Sequence, residues 1–318
     1  MLSDVLQGNE NAKVCVVGGG SIGSLHIELH GKNVGTRHVG VVELDPELRR
    51  TYSALGFRTY ESLKDAFRAG YEIYDICLPT FLHIKAIEEI LIGTSAKIIC
   101  EKPLVLNLDE LRRVYEKYDG VKDRLVGAYV ERFNEPFIRA QKWATTHSGP
   151  YTMSFVRRTK KPLRQDWVKD ASKGGSLLLD LGIHDIDASL WLAGARFKEV
   201  ISRTTSFDKE LLEVRLSDNS IVRYEAAWDI EQESSVGVLN TFSIEVQGER
   251  FEYDSSVEEV RVDNKTKSVT PRFPSAYILE LTQALELPTA IDSRYPTYDQ
   301  LLGAYTLLDT LNDRKGGV

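Results

Sequence analysis

The sequence predicts an α/β protein of two domains, and three observations support this. Strand-like and helix-like segments alternate from Lys13 to about Asp119, the pattern of a parallel sheet covered by helices. After Gly120, strand-like alternation dominates and turn residues separate the runs, which predicts a mainly antiparallel sheet. The length of 318 residues also favours two domains. We therefore predict a first domain over residues 1–121 and a second over residues 122–318.

The individual elements follow from apolar runs, helical periodicity and turn signals. In the first domain, the predicted strands are Val14–Val17, Val39–Val42, Ile73–Leu78 and Lys97–Cys100. Its predicted helices are Ile22–His30, Pro46–Leu55, Ser62–Ala69, Ile84–Ile92 and Leu108–Tyr118. In the second domain, the predicted strands are Leu125–Val130, Tyr151–Arg157, Leu211–Leu216, Ile221–Ala227, Phe242–Gln247 and Phe251–Tyr253, and a helix over Tyr298–Asn312 closes the chain.

A glycine loop joins the first predicted strand to the first predicted helix. Its spacing is Gly18-x-Gly20-x-x-Gly23. The first glycine allows a tight turn, the second lets the backbone approach a phosphate, and the third permits close packing of helix on strand. Ser21 and Ile22 begin the helix, where amide groups without helical partners face an anion. The loop therefore predicts a site for a dinucleotide pyrophosphate.

Glu43 ends the second predicted strand, 20 residues after the last glycine of the loop. A carboxylate at this position accepts hydrogen bonds from the adenosine ribose and repels a 2′-phosphate. This favours NAD over NADP. The alternative is an ordinary glycine turn followed by a surface glutamate.

Two further strand ends carry unusual residues, and ligands of such a sheet bind outside the carboxyl ends of its strands. One is Leu78-Pro79-Thr80-Phe81-Leu82-His83, and the other is Glu101-Lys102-Pro103. A lysine between a buried strand and a proline points its cation at the nicotinamide end of the cofactor crevice. The alternative is a loop lysine in a salt bridge with Glu101.

A helix predicted over Leu177–Ala193 carries the candidate catalytic residues of the second domain. Asp180, His184 and Asp187 fall at i, i+4 and i+7, so they share one helix face. Asp180 can accept the His184 ring N–H and raise its basicity, which leaves the other nitrogen free to take a proton. The alternative is a structural or solvated Asp–His pair.

The other histidines and the cysteines indicate no metal site. We expect His26, His30, His38 and His147 to be packing or surface residues, because the sequence gives them no aspartate partner of the kind that Asp180 offers His184. No set of His, Asp and Cys has metal-ligand spacing. The cysteines lie in apolar runs and are odd in number, which predicts buried thiols in a reducing cytoplasm. They are Cys15, Cys77 and Cys100.

Composition narrows the class of protein. Hydrophobic residues make up 42% of the chain and charged residues 27%, values typical of a globular protein. The net charge of −7 argues against a general binder of nucleic acid or anionic membranes. The stretch Met1–Asn11 does not resemble a signal peptide, and no apolar run is long enough to cross a bilayer. We therefore expect a soluble cytoplasmic protein.

The motifs together resemble the family of glucose–fructose oxidoreductase and inositol 2-dehydrogenase, the Gfo/Idh/MocA family. They are Gly18-x-Gly20-x-x-Gly23-x-x-His26, Glu101-Lys102-Pro103, and Gly174-Gly175 leading to Asp180-x-Gly182-x-His184. The resemblance implies an N-terminal Rossmann domain and a C-terminal domain with a large open-faced sheet. It also implies that Lys102, Asp180 and His184 are catalytic, and that Leu78, Pro79, Thr80, His83 and Glu101 lie near the cofactor. Ser176 departs from the family, which usually has a third glycine there.

Two local features bear on the substrate. The run from Tyr129 to Pro136 resembles UDP-N-acetylglucosamine 3-dehydrogenases, which implies that Tyr129, Arg132 and Asn134 bind substrate. A basic cluster precedes the catalytic helix, and its arginines, with Trp167 as a stacking face, would suit a nucleotide-sugar pyrophosphate. Its members are Arg157, Arg158, Lys160, Lys161 and Arg164. The alternative is a solvated loop whose charges aid solubility.

We therefore predict an NAD-dependent dehydrogenase that oxidises a secondary alcohol of a sugar or nucleotide-sugar. One alternative is a dehydrogenase of a free sugar or inositol, which needs no basic loop. Another is a non-catalytic protein that senses NAD on the same scaffold. We expect a homodimer or homotetramer formed through the open sheet face, with no nucleic-acid or membrane partner.

Overall fold

The computed structural model describes residues 12–32, 36, 38–162, 170, 173–174, 176–263, 265–268, 273–285 and 294–313. The chain divides into two compact units. The first contains Met1–Val105, Asp109–Val130 and Pro274–Tyr295, and the second contains Leu106–Leu108, Glu131–Phe273 and Pro296–Val318. The first unit therefore includes a segment from the C-terminal part of the chain.

A parallel sheet forms the centre of the first unit. Its strands are β1 (Lys13–Val17), β2 (His38–Val42), β3 (Arg58–Tyr60), β4 (Ile73–Ile76), β5 (Lys97–Glu101) and β6 (Leu125–Ala128). They lie in the order β3-β2-β1-β4-β5-β6, and each neighbouring pair is parallel. The reversal of strand order between β1 and β4 marks the edge at which such sheets bind ligands. The predicted α/β class and Rossmann domain are confirmed.

Helices of the first unit follow the predicted alternation. They are α1 (Ser21–Lys32), α2 (Pro46–Ala54), α3 (Leu63–Phe67), α4 (His83–Gly93), α5 (Leu108–Lys117) and, from the C-terminal segment, α8 (Phe273–Leu285). The start of α2 shows how the sequence specifies them. Asp45 accepts hydrogen bonds from the main-chain N–H groups of Glu47 and Leu48, and Pro46 takes the first helical position. A core of Val16, Ile27, Val41, Tyr52 and Cys77 packs α1 and α2 against the sheet.

The sequence prediction misplaced one strand of the first unit and missed another. We predicted a strand over Leu125–Val130 for the second domain, but β6 pairs with β5 in the first sheet. All four residues of β6 are buried, as in strands covered on both faces. The missed strand is β3, whose three residues are too short and polar a run to be recognised.

The second unit contains a larger, mainly antiparallel sheet, as predicted. Its strands are β7 (Thr152–Lys160), β8 (Phe197–Thr205), β9 (Lys209–Leu216), β10 (Ile221–Ile230), β11 (Val238–Val246), β12 (Glu249–Asp254), β13 (Glu259–Val262) and β14 (Lys265–Ser268). The order is β14-β13-β12-β11-β7-β10-β9-β8. Strands β7 and β10 pair in parallel, and the other neighbouring pairs are antiparallel. Strands β8, β13 and β14 were not predicted.

One face of this second sheet forms the core of its unit. On β7, Met153 and Phe155 are buried, whereas the alternate residues Ser154 and Val156 are only half-buried. Aromatic rings stack along the buried face, with Phe155 and Phe242 at 5.6 Å between centroids. The sheet therefore has one packed face and one more open face.

Helices of the second unit are α6 (Glu135–Ala144), α7 (Ile183–Ala193) and α9 (Tyr298–Asp313). A short π-helical segment, Leu178–Gly182, precedes α7. The Ser189 hydroxyl on α7 lies 2.6 Å from the Tyr224 hydroxyl on β10, which fixes this helix to the sheet. In the described part of the chain, no helix is both long and apolar enough to cross a membrane.

Candidate functional site

The glycine loop has the geometry that a dinucleotide requires. Gly18 has φ +97° and donates its N–H to the Val42 carbonyl at 2.8 Å. A Cβ on Gly23 would stand 1.9 Å from the Gly18 carbonyl oxygen, so α1 can pass the loop only with glycine there. A Cβ on Gly20 would meet no atom within 4 Å. The backbone at Gly20 is therefore open to an approaching phosphate, and exposed Ser21 begins α1 beside it.

Glu43 is held against this loop from the end of β2. Its Oε2 accepts the Gly19 N–H at 2.7 Å, and its Oε1 accepts the Asp45 N–H at 2.8 Å. The Tyr52 hydroxyl donates to the Gly19 carbonyl at 2.7 Å, which fixes the loop from the other side. Each carboxylate oxygen retains acceptor capacity for a ribose hydroxyl. The loop and Glu43 therefore fit NAD.

The loop after β4 lies at the same edge of the sheet. Leu78 and Pro79 are half-buried, and Thr80 is buried at the start of a short 3₁₀ turn. The His83 ring is 1% exposed, with Nε2 2.7 Å from the Leu78 carbonyl oxygen and Nδ1 3.0 Å from the Pro103 carbonyl oxygen. Burial lowers the pKa of His83. This ring therefore joins two loops inside the protein, and a contact of His83 with the cofactor stays a prediction.

Lys102 follows β5 directly, as predicted. Its side chain is half-buried, and its main-chain N–H donates to Glu101 Oε2 at 3.1 Å. The Glu101 side chain is turned inward, because the residue is only 6% exposed and its Oε1 lies 3.3 Å from His26 Nε2. The cofactor contact of Glu101 stays a prediction. The carboxylate supports the main chain at Lys102 from inside the unit.

His26 and His30 have a buried acidic partner, so the expectation that they lack one was wrong. Both rings lie 2.9 Å from Asp75 Oδ2, and all three residues are 0% exposed. His147, also expected to lack a partner, lies 2.7 Å from Glu249. These partners are distant in sequence, and spacing alone could not find them.

A possible ligand set for a metal also emerges, which the sequence spacing had not indicated. Donor atoms of His26, Asp75 and Cys77 lie within 4.8 Å of one another. Burial alone would lower the pKa of His26, but the Asp75 charge raises it well above its usual value. Burial raises the pKa of the Cys77 thiol. A protonated imidazole and a thiol are not ligating forms, so these groups fit a hydrogen-bonded ion pair better than a metal site.

The candidate catalytic helix of the second unit begins differently from the prediction. Asp180 lies in the π-helical segment, and His184 lies in the first turn of α7. Ser176 caps this start, since its hydroxyl accepts the Leu179 N–H at 3.2 Å. A wider π turn changes the i, i+4 relation expected for a regular α-helix. Both side chains are half-buried, and orientation of His184 by Asp180 stays a prediction.

Arg157 is buried in an ionic network beneath α7. It is 3% exposed and donates to both Asp185 oxygens at 2.7 to 3.1 Å and to Glu131 at 2.8 Å. Burial alone would lower the pKa of Arg157, but the two carboxylates raise it. Asn134, 3% exposed, donates to the other Glu131 oxygen at 2.9 Å. Both side chains are thus engaged inside the protein, and their contacts with substrate stay a prediction.

Arg132 forms a second network with Asp187. Its Nε and one terminal nitrogen donate to the two Asp187 oxygens, each at 2.7 Å, and the other terminal nitrogen donates to Gln300 at 3.0 Å. Arg132 is 1% exposed, and Tyr129 in the first unit is also 1% exposed. Both side chains are buried, and their role as substrate contacts stays a prediction. Asp187, expected on one face with His184, instead anchors α7.

The rest of the basic cluster is also engaged where the structure describes it. Arg158 pairs with Glu225 and Asp229. Lys160 donates to two main-chain carbonyls, and the Lys161 ammonium lies 4.2 Å from the centre of the Phe207 ring. Arg164 and Trp167, the other predicted substrate contacts, lie outside the described residues.

Comparisons with known proteins agree with this geometry. The profile described as "Oxidoreductase family, NAD-binding Rossmann fold" matches residues 12–128, and that of the GFO/IDH/MocA C-terminal domain matches residues 150–252. Residues 12–128 thus form an NAD-binding Rossmann domain of an oxidoreductase family. The chain belongs to the Gfo/Idh/MocA family, as its motifs predicted.

Curated relatives are distant. The rhizopine catabolism protein MocA of Rhizobium meliloti is 24% identical over 60% of this chain and 61% of its own length. An inositol 2-dehydrogenase of Rhizobium meliloti (strain 1021) is 27% identical over 56% of this chain and 54% of its own length. The chain thus spans less than two thirds of these relatives.

Solved structures share the whole fold at low identity. GenD2 from gentamicin A biosynthesis, solved in complex with NAD, has a TM-score of 0.80 at 19% identity and covers 96% of this chain and 95% of its own. The UDP-N-acetylglucosamine 3-dehydrogenase GnnA from Acidithiobacillus ferrooxidans has a TM-score of 0.74 at 20% identity, with coverage of 96% and 97%. These similarities establish the fold.

Proposed function

We propose that this protein is an NAD-dependent dehydrogenase that oxidises a secondary alcohol of an uncharged sugar or polyol, with His184 as the base. The observation that carries the proposal is the sheet edge of the first unit. There the glycine loop is open at Gly20, Glu43 is fixed beside it, and Lys102 follows β5. Inositol 2-dehydrogenases among the relatives support a polyol substrate.

Each group has one role in the reaction, which its charge and chemistry determine. Bound NAD supplies the acceptor for the hydride that leaves carbon. His184 takes the hydroxyl proton, and Asp180 holds its ring in the basic orientation. The Lys102 ammonium stabilises the negative charge that develops on the substrate oxygen. The proposal requires that Lys102 and His184 act on the same alcohol.

An uncharged substrate is favoured over a nucleotide-sugar because of the buried arginines. A pyrophosphate needs cationic side chains with free donors. Arg132 and Arg157 direct their donors to internal carboxylates, and Arg158 pairs with Glu225 and Asp229. In the described part of the basic cluster, few side-chain donors are therefore left to bind a pyrophosphate.

The test is NADH formation by the purified protein with myo-inositol, free hexoses and UDP-N-acetylglucosamine. We expect turnover with one of the first two classes. We also expect Lys102→Ala and His184→Ala to bind NAD and keep the wild-type Tm while kcat falls at least about 100-fold. His147→Ala, on the surface beside Glu249, is the matched control and should retain kcat.

Three results would redirect the proposal. Turnover of the UDP-sugar alone would establish the nucleotide-sugar alternative. Tight NAD binding without turnover of any substrate would favour an NAD-sensing protein. Near-normal kcat in His184→Ala would refute its role as the base.

We also propose that the protein forms a homodimer or homotetramer in the cytoplasm. The half-buried face of the second sheet, on which Ser154, Val156 and Ser243 lie, offers a flat surface for a second copy. Buried unpaired cysteines agree with a reducing compartment. Light scattering tests the assembly: Ser243→Arg should dissociate it, and a wild-type monomer at all concentrations would contradict it.

A further inference from the structure

A buried polar cluster lies behind Lys102 in the first unit, and the proposed chemistry does not use it. Helix α1 contributes His26 and His30, and β4 contributes Asp75. Strand β5 contributes Glu101, and α8 contributes Glu280. Each of these residues is at most 6% exposed. Burying this many ionisable groups is costly unless they are paired, so their arrangement needs a physical reason.

His26 joins the two ends of the cluster. Its Nδ1 lies 2.9 Å from Asp75 Oδ2, and its Nε2 lies 3.3 Å from Glu101 Oε1. Asp75 holds the pKa of His26 well above its usual value despite burial, which favours the imidazolium form of the ring. Both ring nitrogens of an imidazolium are donors. His26 Nδ1 is therefore hydrogen-bonded to Asp75, whereas Nε2 and Glu101 Oε1 lie within ion-pair distance without a hydrogen bond.

Glu101 also contacts the main chain of Lys102. Its Oε2 accepts the main-chain N–H of Lys102 at 3.1 Å, while its Oε1 faces His26. The carboxylate is thus held from two sides. Rotation of the Glu101 side chain would remove the hydrogen bond that fixes the main chain at Lys102.

Glu280 lies near the same groups without adding a charge. It is 0% exposed, and neither carboxyl oxygen has a hydrogen-bond partner among the described residues. Burial, with a further contribution from the Glu101 charge, raises its pKa well above the usual value, so Glu280 is a neutral acid. The His26 ring also contacts Tyr277 of α8 edge-on, at 5.6 Å between centroids. Helix α8 thus closes the cluster, and Glu280 leaves the His26–Glu101 ion pair intact.

We propose that His26 is a positioning residue for the dehydrogenase reaction: its ring, 3.3 Å from Glu101 Oε1, fixes the Glu101 carboxylate, and Glu101 fixes the main chain at Lys102. This inference rests on the proposed function, because it assumes that Lys102 stabilises the substrate oxygen. It assigns a role to the histidine of the Gly18–His26 motif, which the chemistry itself leaves unused.

Two substitutions separate the two contacts of His26. In His26→Asn the amide nitrogen replaces Nδ1, which keeps the donor to Asp75 and removes the contact with Glu101. In His26→Gln the amide nitrogen replaces Nε2, which keeps the contact with Glu101. We expect His26→Asn to lower kcat about 10- to 100-fold, as for a misplaced catalytic group, with KM for NAD nearly unchanged. His26→Gln should retain more of the activity.

His30→Asn is the matched control. It makes the same change on the same helix and removes the contact between His30 Nε2 and Asp75. His30 has no contact with Glu101 among those described. It should lower Tm while kcat stays near the wild-type value. If both asparagine variants lower kcat equally, or if neither does, His26 is a structural residue and the proposal fails.

A second measurement needs no activity and no cofactor. Hydrogen exchange of the Lys102 amide, followed by NMR in the NAD-free protein, reports the bond to Glu101 directly. It should accelerate in His26→Asn and in Glu101→Gln, but not in His30→Asn. Glu101→Gln also serves as the test if His26→Asn does not fold. Unchanged exchange in a folded variant would overturn the proposal.

The double variant shows whether His26 acts through Glu101. In that case His26→Asn with Glu101→Gln lowers kcat no further than the more severe single change. If the fold-loss of kcat in the double variant equals the product of the two single losses, His26 does not act through Glu101. If the exchange results are as expected but wild-type protein oxidises no alcohol, the positioning of Lys102 stands and the proposed function is what fails.

Discussion

Glu280 offers a direct test of the buried cluster, because it is a carboxyl group kept neutral by its surroundings. Its pKa in the folded chain is raised well above 4.5, through burial and the charge of Glu101. In the unfolded chain the group ionises at its ordinary pKa. Above that pH, folding must therefore return a proton to the carboxylate, and this opposes folding. The change Glu280→Gln keeps the shape of the side chain and removes the proton equilibrium.

The direction and size of the effect follow from this single proton. Below the unfolded pKa both states are protonated, and the group does not affect the free energy of unfolding. As pH rises from there towards the folded pKa, the wild type loses about 1 kcal/mol of stability per pH unit relative to Glu280→Gln. The advantage of the variant should thus grow with rising pH until the pH reaches the folded pKa of Glu280.

Urea unfolding of both proteins at half-unit pH steps measures this difference. The change Glu233→Gln, at an exposed glutamate, controls for the general loss of one negative charge. Subtraction of the two curves also cancels the titration of His26, which lowers stability with rising pH in both proteins. A stability difference that does not change with pH would refute the neutral state of Glu280. A variant that becomes less stable relative to the wild type as pH rises would refute it as well.

The remaining predictions concern the glycine loop and the buried arginines. Gly20→Ala should keep the wild-type Tm, since a Cβ there meets no atom, but should weaken NAD binding measured by calorimetry; Gly23→Ala should lower Tm as well, because its Cβ would stand 1.9 Å from the Gly18 carbonyl oxygen. Equal Tm values for the two variants would contradict this. Arg157→Met should lower the free energy of unfolding by about 3 to 5 kcal/mol, because it leaves two buried carboxylates without their cation. The control Arg158→Met, at a more exposed ion pair, should cost about 1 kcal/mol or less in the same urea titration, and similar losses in both would contradict the burial argument.

Much of the fold could be predicted because several strands are recognisable from their own short stretch of sequence. Strands β1, β2 and β5 are short apolar runs, and parallel strands covered on both faces need such runs. The run Leu125–Ala128 has the same character and is buried throughout, which should have placed it in the first sheet. The predicted border at residue 121 instead followed the change in overall pattern. Strand β3 carries no comparable apolar signal.

The candidate site divides in the same way between local and distant information. The loop Gly18–Gly23 and the position of Lys102 depend on neighbours in sequence, and both occur where the motif predicts. The fate of Arg157 depends on Asp185, 28 residues away, and on Glu131, 26 residues away. Pairs so distant in sequence cannot be recognised from spacing. A buried arginine such as Arg157 is therefore interpreted as part of a basic surface.

A usable signal for these networks was nevertheless present. Asp75 interrupts the apolar run Ile73–Ile76, and Glu280 interrupts the apolar helix Phe273–Leu285. An ionisable residue inside such a run cannot remain buried and charged without a partner. Asp75 indicates a cationic partner, which the structure identifies as His26. Glu280 represents the other outcome, a group that neutralises instead.

The two units support their candidate catalytic residues by the same physical means. In the first, the pair His26–Glu101 lies behind Lys102. In the second, Asp185 and Asp187, one and three residues after His184 in α7, bind buried arginines. Apolar side chains of similar volume would stabilise both cores at lower desolvation cost. Bidentate ion pairs, however, fix direction, which apolar contacts do not, and a proton acceptor depends on direction. Anchoring the residues beside His184 restrains the rotation of α7 and leaves the histidine itself half-buried, as its proposed role as the base requires.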